Sequence, residues 1–594
     1  GVIVGVFDSG IDPTSSDFAS NGVSRIVALW DMSDPASDKA PTGFSWGREY
    51  SRADITSRTP LDATDRSGHG THVTGIAAGS GLAQFGTRGV APEADLVIVK
   101  GHRVDQPRAG FSNIDIIAGC QYIMSIADRE DKPCVINLSL GSPIGPHDGS
   151  TLFEQQLDDL VKPGRLIVVA AGNDGALPIH AGVDKKSDET VEALIAPVNL
   201  CEVFDGFCPP IENFVMTAAD IWFTAGTVDT IIVSAYGVDA DALTPVKSLR
   251  YALSDAAQNQ PVVVDEMGTI AGFFNLLSTT TGHPRGDGNV SVQIHNSGVA
   301  DIDITSRLWS LAFVGKGGGR IDMWAGVPIP ESFPVQGALG TTIYGNNEMT
   351  TGAPSTARNV VSVGSYVTTN SWESWEGPQQ TESELGSLSE FSSRGPTRDG
   401  RRAPVVSAPG EMIGSTLSSS LASYSPMNAP SAKLPFRDVV MAQGTSMAAP
   451  HVAGTVALLL QARPRLHFES LMGILDRSSR HDIFAPVDDN QFGFGKLSAE
   501  NAVRDVLTSV IDDMPTGSTR AWPIPSSNVV TVSGAFFDAP YWAVNVMGQR
   551  VQLREVASDD TLITLDVRML TPGMWTIVQE QDSRRVTVPV IIAR

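Results

Sequence analysis

Short apolar runs alternate with stretches of helical period through the first 170 or so residues of the chain. Gly1–Phe7, Leu96–Lys100 and Val135–Leu140 read as strands, with the helical stretch Ile114–Ala127 between the second and third. Runs apolar on both faces, alternating with helices, predict a mostly parallel sheet flanked by helices, an α/β fold. The alternation resumes at Asn359–Gly364 and continues in a helix leading from Ser446 through the apolar stretch Val452–Leu460. It closes near Phe492-Gly493-Phe494-Gly495 with a helix over Ala499–Leu507. Between about 178 and 348 the period changes to short β-type runs, Thr230–Tyr236, Gln260–Asp265 and Val290–His295, broken by Gly, Asn and Asp. That change predicts an all-β, jelly-roll-like insertion at 178–348, with the α/β domain over 1–177 and 349–511. After a polar, proline-containing linker near Asp512–Gly517, residues 518–594 read as a C-terminal β-sandwich.

Three segments carry candidate chemistry. Val6-Phe7-Asp8-Ser9-Gly10, Gly68-His69-Gly70-Thr71-His72 and Gly444-Thr445-Ser446-Met447-Ala448-Ala449-Pro450 set out an acid, a base and a nucleophile in the order Asp, His, Ser. A serine hydroxyl is a poor nucleophile near neutral pH, so an imidazole must take its proton, and a carboxylate must hold that imidazole in the right tautomer. Each segment also has a plainer reading. Asp8 before Ser-Gly suits a turn, Ser446 before an apolar helix suits an N-cap, and His69 and His72, three apart, suit metal ligands that lack a recognisable third. Three such accidents arriving together with these flanks are harder to accept than one catalytic set.

These segments resemble those of the subtilase family of serine proteases. The resemblance implies a subtilisin-like catalytic domain with Asp8 as acid, His69 as base and Ser446 as nucleophile. Val168-Val169-Ala170-Ala171-Gly172-Asn173 is similar to the segment whose Asn donates to the oxyanion, which implies that role for Asn173. Asn137-Leu138-Ser139-Leu140-Gly141 resembles the strand along which the substrate lies, so Ser139, Leu140 and Gly141 are expected to pair with the substrate backbone. Ala170, Ala171 and Gly172 would leave room beside them for a large apolar P1 side chain. Phe391-Ser392-Ser393-Arg394-Gly395-Pro396 and Ala408-Pro409-Gly410 match further family segments. Trp309–Pro328 is similar to a jelly-roll insert of some bacterial subtilases, including spore-associated ones.

The family implies a secreted endopeptidase of broad specificity acting on protein or peptide substrates, with a propeptide or inhibitor as a further partner and no catalytic cofactor. The chain opens directly on a core strand, so a signal peptide and propeptide are expected to have preceded it. Structural calcium is common in the family, but Gly79–Gly89 lacks the acidic and amide cluster of a calcium cage, and no metal ligand is assigned. Two other functions use the same residues: a restricted or inactive subtilase acting as a binding module, and an acyl hydrolase or ligase acting on esters.

Composition narrows the setting. Acidic residues number 66 against 42 basic among 594, a net charge of -24, which argues against a nucleic-acid partner. The sequence contains no uninterrupted apolar run of about twenty residues, the length a membrane helix requires. A monomer is expected. Four cysteines are too few for a disulfide scaffold; Cys201 and Cys208 flank a short loop and could pair, whereas Cys120 reads as a buried helical thiol. Trp522–Asn528, Met547–Val551 and Leu570–Trp575 resemble the C-terminal sorting domain of Bacteroidota proteins exported by type IX secretion, with Trp-Pro-Ile-Pro where Tyr-Pro-Asn-Pro is usual. That resemblance implies a secreted or cell-surface protein of a Gram-negative, Bacteroidota-like bacterium, the alternative being a plain Ig-like tail.

Overall fold

The computed structural model describes residues 1–594 except 36, 58–62, 83–86, 103–110, 197, 200–214, 237–244, 254–257, 264–269, 280–282, 284–285, 297–303, 305–307, 331–338, 424, 436–437, 488, 509–519, 523–527, 534–539, 546–548, 559–561, 582–583 and 593–594. Cys201, Cys208, the 512–517 linker and most of the Trp522–Asn528 segment lie outside the described residues. The chain parts into two compact units, Gly1–Val503 and Arg504–Arg594.

The first unit is built on an eight-stranded sheet. From one edge its strands are Val406–Glu411, Val361–Val367, Arg165–Ala170, Cys134–Leu138, Ile3–Asp8, Asp95–Lys100, Ile26–Asp31 and Arg48–Ser51. Every neighbouring pair is parallel except the last, which is antiparallel. Ile3–Asp8 and Ile26–Asp31 are buried at every position, as strands covered on both faces must be. One covering layer is the helix Asn113–Arg129, whose Ile116, Cys120, Ile123 and Ala127 pack with Phe7, Val97 and Ile136. Cys120 is the buried thiol expected, and Cys134 is buried as well. Burial pushes both thiols well above their ordinary range.

The helices His69–Ala78 and Thr445–Ala462 pack against each other and against the sheet. Close approach dictates small residues here. A Cβ on Gly70 would lie 2.1 Å from Gly10 O, so this glycine lets the first helix touch the end of the first strand.

The strands between His180 and Ile343 form a β-sandwich. One sheet runs Pro245–Ala252, Thr230–Tyr236, Leu308–Val314, Val191–Ile195 and Thr341–Ile343. The other runs Gln258–Val263, Ile270–Thr279, Gly288–His295, Val215–Phe223, Gly319–Ala325 and His180–Lys185, with Val198–Asn199 beside Val215–Phe223. Both sheets feed one core that includes Ile221, Phe274 and Met323 from one sheet and Ile231, Leu311 and Phe313 from the other. The second unit holds two four-stranded sheets around Val530, Leu565, Trp575, Ile577 and Val590. Among the described residues no helix is long and apolar enough to cross a membrane.

Gly70→Ala is expected to cost about 1–3 kcal/mol, the usual cost of overpacking, or to prevent folding. Gly326→Ala, where a Cβ meets nothing within 4 Å, should be close to neutral. Thermal denaturation of the two variants side by side checks this.

Candidate active site

The C-terminal ends of adjacent parallel strands form the crevice in which open α/β sheets place their ligands. Asp8 ends the first strand there, Ser139 follows the strand Cys134–Leu138, and Asn173 follows Arg165–Ala170. His69 and Ser446 are delivered by the first turns of their helices, each preceded by a glycine with positive φ: Gly68 at 85° and Gly444 at 141°.

Asp8 and His69 form a tight pair. Asp8 Oδ1 lies 2.7 Å from His69 Nδ1 and accepts the Ser9 N–H at 2.7 Å. The Asp8 carboxylate is buried, whereas the His69 side chain keeps 29 % exposure, enough to meet a substrate. Ser446 is tied to the strand beside it. Pro450 has no N–H, so the carbonyl of Ser446, four residues earlier, loses its intrahelical partner. The Ser139 hydroxyl donates to that carbonyl at 2.8 Å and accepts from Asn137 Nδ2 at 2.9 Å. In return the Ser446 hydroxyl donates to Ser139 O at 3.2 Å. Attack requires it to turn toward His69, and catalytic hydrogen bonds often form only with substrate present.

The Asn173 amide and the Ser446 N–H both border Gly444. Asn173 Oδ1 accepts the Thr445 N–H at 2.9 Å, which orients the amide and leaves Nδ2 free to face the site. A Cβ placed on Gly444 would sit 3.3 Å from Asn173 Nδ2, 3.6 Å from Asn173 Oδ1 and 3.6 Å from Ser446 N. The space over this glycine is therefore shared by a side-chain amide and an early helical N–H, the donor pair an oxyanion needs.

The profile of the subtilase family matches residues 1–286 and 336–495. The chain belongs to the subtilase family. The minor extracellular protease Vpr of Bacillus subtilis (strain 168) is 26% identical over 491 residues, 79% of this chain and 47% of Vpr. The subtilisin-like protease SBT4.14 of Arabidopsis thaliana is 32% identical over 190 residues, 29% of this chain and 24% of the plant protein. The matches thus span less than half the length of either relative. The CspB protease of Clostridium perfringens shares the fold, with a TM-score of 0.62 at 23% identity, covering 85% of this chain and 95% of that structure.

In this subtilase the residues expected to contact substrate are already much engaged. Ser139 uses its hydroxyl and carbonyl on Ser446; Leu140 packs half-buried on the core; Gly141 is exposed, and Ser142 beyond it pairs with Ala353 O at 2.8 Å. Ala170 is buried in its strand, while Ala171 donates to Val363 O at 2.9 Å and accepts from Gly352 N at 3.3 Å. Gly172, at φ 112°, gives its N–H to Thr445 Oγ1. Ala170–Gly172 therefore stands as a wall, not as a free pairing edge. His72 faces the carbonyls of Ile413 and Val440, each 3.0 Å from Nε2, and burial lowers its pKa to about 4. It is a core residue bonded to backbone carbonyls.

Sequence reasoning missed Asp65. Its Oδ1 accepts from Ser9 Oγ at 2.9 Å and Gly68 N at 2.9 Å, and its Oδ2 from Thr71 N at 2.8 Å and Thr71 Oγ1 at 2.7 Å. Ser9 Oγ in turn accepts the Gly70 N–H at 2.9 Å. One buried carboxylate thus fastens the residue after Asp8 to the turn that carries His69. The only local signal was an acid three residues before a helix-capping glycine.

Burial opposes charging His69, but the charge and hydrogen bond of Asp8 and the charge of Asp65 outweigh it and raise its pKa above 6.5. A general base works when neutral, so activity should rise with pH through a midpoint above 6.5. Among the described residues Asp148, His283 and Asp287 bring ligand atoms within 4.8 Å of one another. Arg398 Nη1 lies 2.7 Å from Asp287 and 3.9 Å from Asp148, so a guanidinium holds the place of a cation and the set does not fit calcium.

Asn173→Ala should lower kcat on the order of a hundredfold to a thousandfold, as loss of this donor does in subtilisin, with KM little changed. Asp65→Asn should move the acid limb of the kcat/KM profile to lower pH, because it removes a negative charge beside His69. It should also cost about 1–3 kcal/mol through mismatched buried donors. A pH–rate profile and a denaturant titration of the same sample check both.

Proposed function

We propose that this chain is a secreted serine endopeptidase that hydrolyses peptide bonds through an acyl-enzyme on Ser446. Ser446 attacks the scissile carbonyl, His69 takes the hydroxyl proton and returns it to the leaving amine, and Asp8 stabilises the imidazolium between these steps. The oxyanion is held by Asn173 Nδ2 and the Ser446 N–H. The observation that carries this reading is the 2.7 Å Asp8–His69 pair, supported by the nearness of Asn173 Nδ2 and the Ser446 N–H to Gly444.

Substrate is read as an added strand at Leu140–Gly141, with a large apolar P1 side chain against Ala170–Gly172. The extracellular setting draws support from the likeness to Vpr, named as an extracellular protease. We place the source among Gram-negative, Bacteroidota-like bacteria on the sorting-domain resemblance of the tail.

A fluorophosphonate should add one adduct to the wild type, mapped to Ser446 and absent from Ser446→Ala and His69→Ala, read by intact mass and peptide mapping. A folded wild type that takes no adduct would remove the peptidase reading and leave a binding module.

A further inference from the structure

The insertion follows Asn173 by a few residues, and the catalytic-domain segment it returns to, residues 349–353, touches both walls assigned to the substrate. Gly352 N donates to Ala171 O at 3.3 Å, and Ser142 N donates to Ala353 O at 2.8 Å. Upstream in the same segment, the indole N–H of Trp324, a fully buried insertion residue, donates to Met349 O at 2.9 Å. The Trp324 ring stacks on His147 with centroids 4.2 Å apart and planes 5° from parallel. His147 Nδ1 lies 2.8 Å from Thr351 O in the return segment, and Nε2 lies 2.8 Å from Pro143 O, just past the substrate strand. Burial lowers the His147 pKa to about 4, so near neutral pH the ring carries one N–H and donates to only one of these carbonyls; it clasps the two segments through that single hydrogen bond and its packing, and the tryptophan backs it.

Two further features mark the junction. His147 and Met349 hold left-handed φ of 52° and 54°, a conformation that non-glycine residues keep only where their surroundings enforce it. The first insertion strand is fastened just before that segment: His180 Nδ1 lies 3.0 Å from Asn346 Oδ1 and its Nε2 3.1 Å from Asp322 Oδ1. Arg398 Nε binds the other oxygen of Asp322 at 2.9 Å. An insertion that merely stiffened the enzyme could attach at any surface. This one bears, through Trp324, on Met349 and His147, which adjoin the segment that bonds Ala171 and Ser142.

We propose that Trp324 is a positioning residue for substrate recognition: through Met349 and the His147 clasp it sets the spacing between the Gly141–Ser142 and Ala171–Gly172 walls. The insertion is thereby a determinant of P1 selectivity. The kinetic part of this inference rests on the peptidase reading; the mechanical part does not.

The test compares Trp324→Phe with Trp309→Phe in the full chain. Trp309 is another fully buried insertion tryptophan, but its indole N–H bonds Ile304 O within the insertion. Trp324→Phe keeps an aromatic ring on His147 and loses one hydrogen bond, so KM for peptide amides with a large apolar P1 residue should rise about threefold to tenfold. KM for an Ala P1 should change less, and kcat should stay within about twofold, the pattern of lost ground-state binding. Hydrogen exchange at 139–142 and 170–172 should speed up in Trp324→Phe and not in Trp309→Phe. Equal effects of the two substitutions on KM and exchange, or none from either, would overturn the proposal. If the wild type takes no fluorophosphonate adduct, the peptidase reading fails by itself, and the exchange comparison still decides whether Trp324 holds the walls.

Discussion

A buried carboxylate holds this site together. Asp65 accepts four hydrogen bonds, from Ser9, Gly68 and both donor groups of Thr71. A buried charge is tolerable only when so fully satisfied, and the satisfaction is what fixes the end of the first strand to the start of the histidine helix. Asp8 and His69 come from separate elements, and their 2.7 Å contact depends on that fastening. Gly70, pressed against Gly10 O, completes it by letting the helix approach. The same carboxylate also biases the chemistry, since its charge helps Asp8 offset the burial of the imidazole.

Ser446 is placed by a complementary device. Pro450 frees the Ser446 carbonyl, and Ser139 takes it up, so a helix defect becomes the anchor between the serine helix and the neighbouring strand. Thr445, the residue before Ser446, orients Asn173 through two hydrogen bonds to its Oδ1, which ties the loop after Arg165–Ala170 to the start of the serine helix. Asp65, Ser139 and Thr445 each bond to another part of the catalytic domain. Binding energy there can be directed at the reacting carbonyl instead of at ordering the protein.

Much of this was legible in the sequence because its signals are local. The strand Thr230–Tyr236 appears with the bounds its apolar run predicts, and Ile114–Ala127 lies within the helix Asn113–Arg129. The run Val135–Leu140 read two residues too long: the strand stops at Leu138, where Ser139 turns its polar groups to Ser446. Asn359–Gly364 was read too early, and the strand is Val361–Val367. Asp8, His69, Ser446 and Asn173 could each be picked as candidates from flanking residues; the structure pairs Asp8 with His69 and sets Asn173 against Thr445, next to Ser446. Asp65 could not, because Ser9, the partner that gives it meaning, is distant in the chain. The Trp324–His147 stack was invisible for the same reason: nothing near either residue in sequence announces the other.

The measurement that tests the central claim most directly is an NMR titration of the His69 ring in the wild-type protein. If Asp8 and Asp65 hold the imidazole as described, its pKa lies above 6.5 and the neutral ring carries its proton on Nδ1. A pKa at or below 6.5, or a neutral ring protonated on Nε2, would contradict the account, because burial would then outweigh the carboxylates and the ring would not be poised to accept the serine proton.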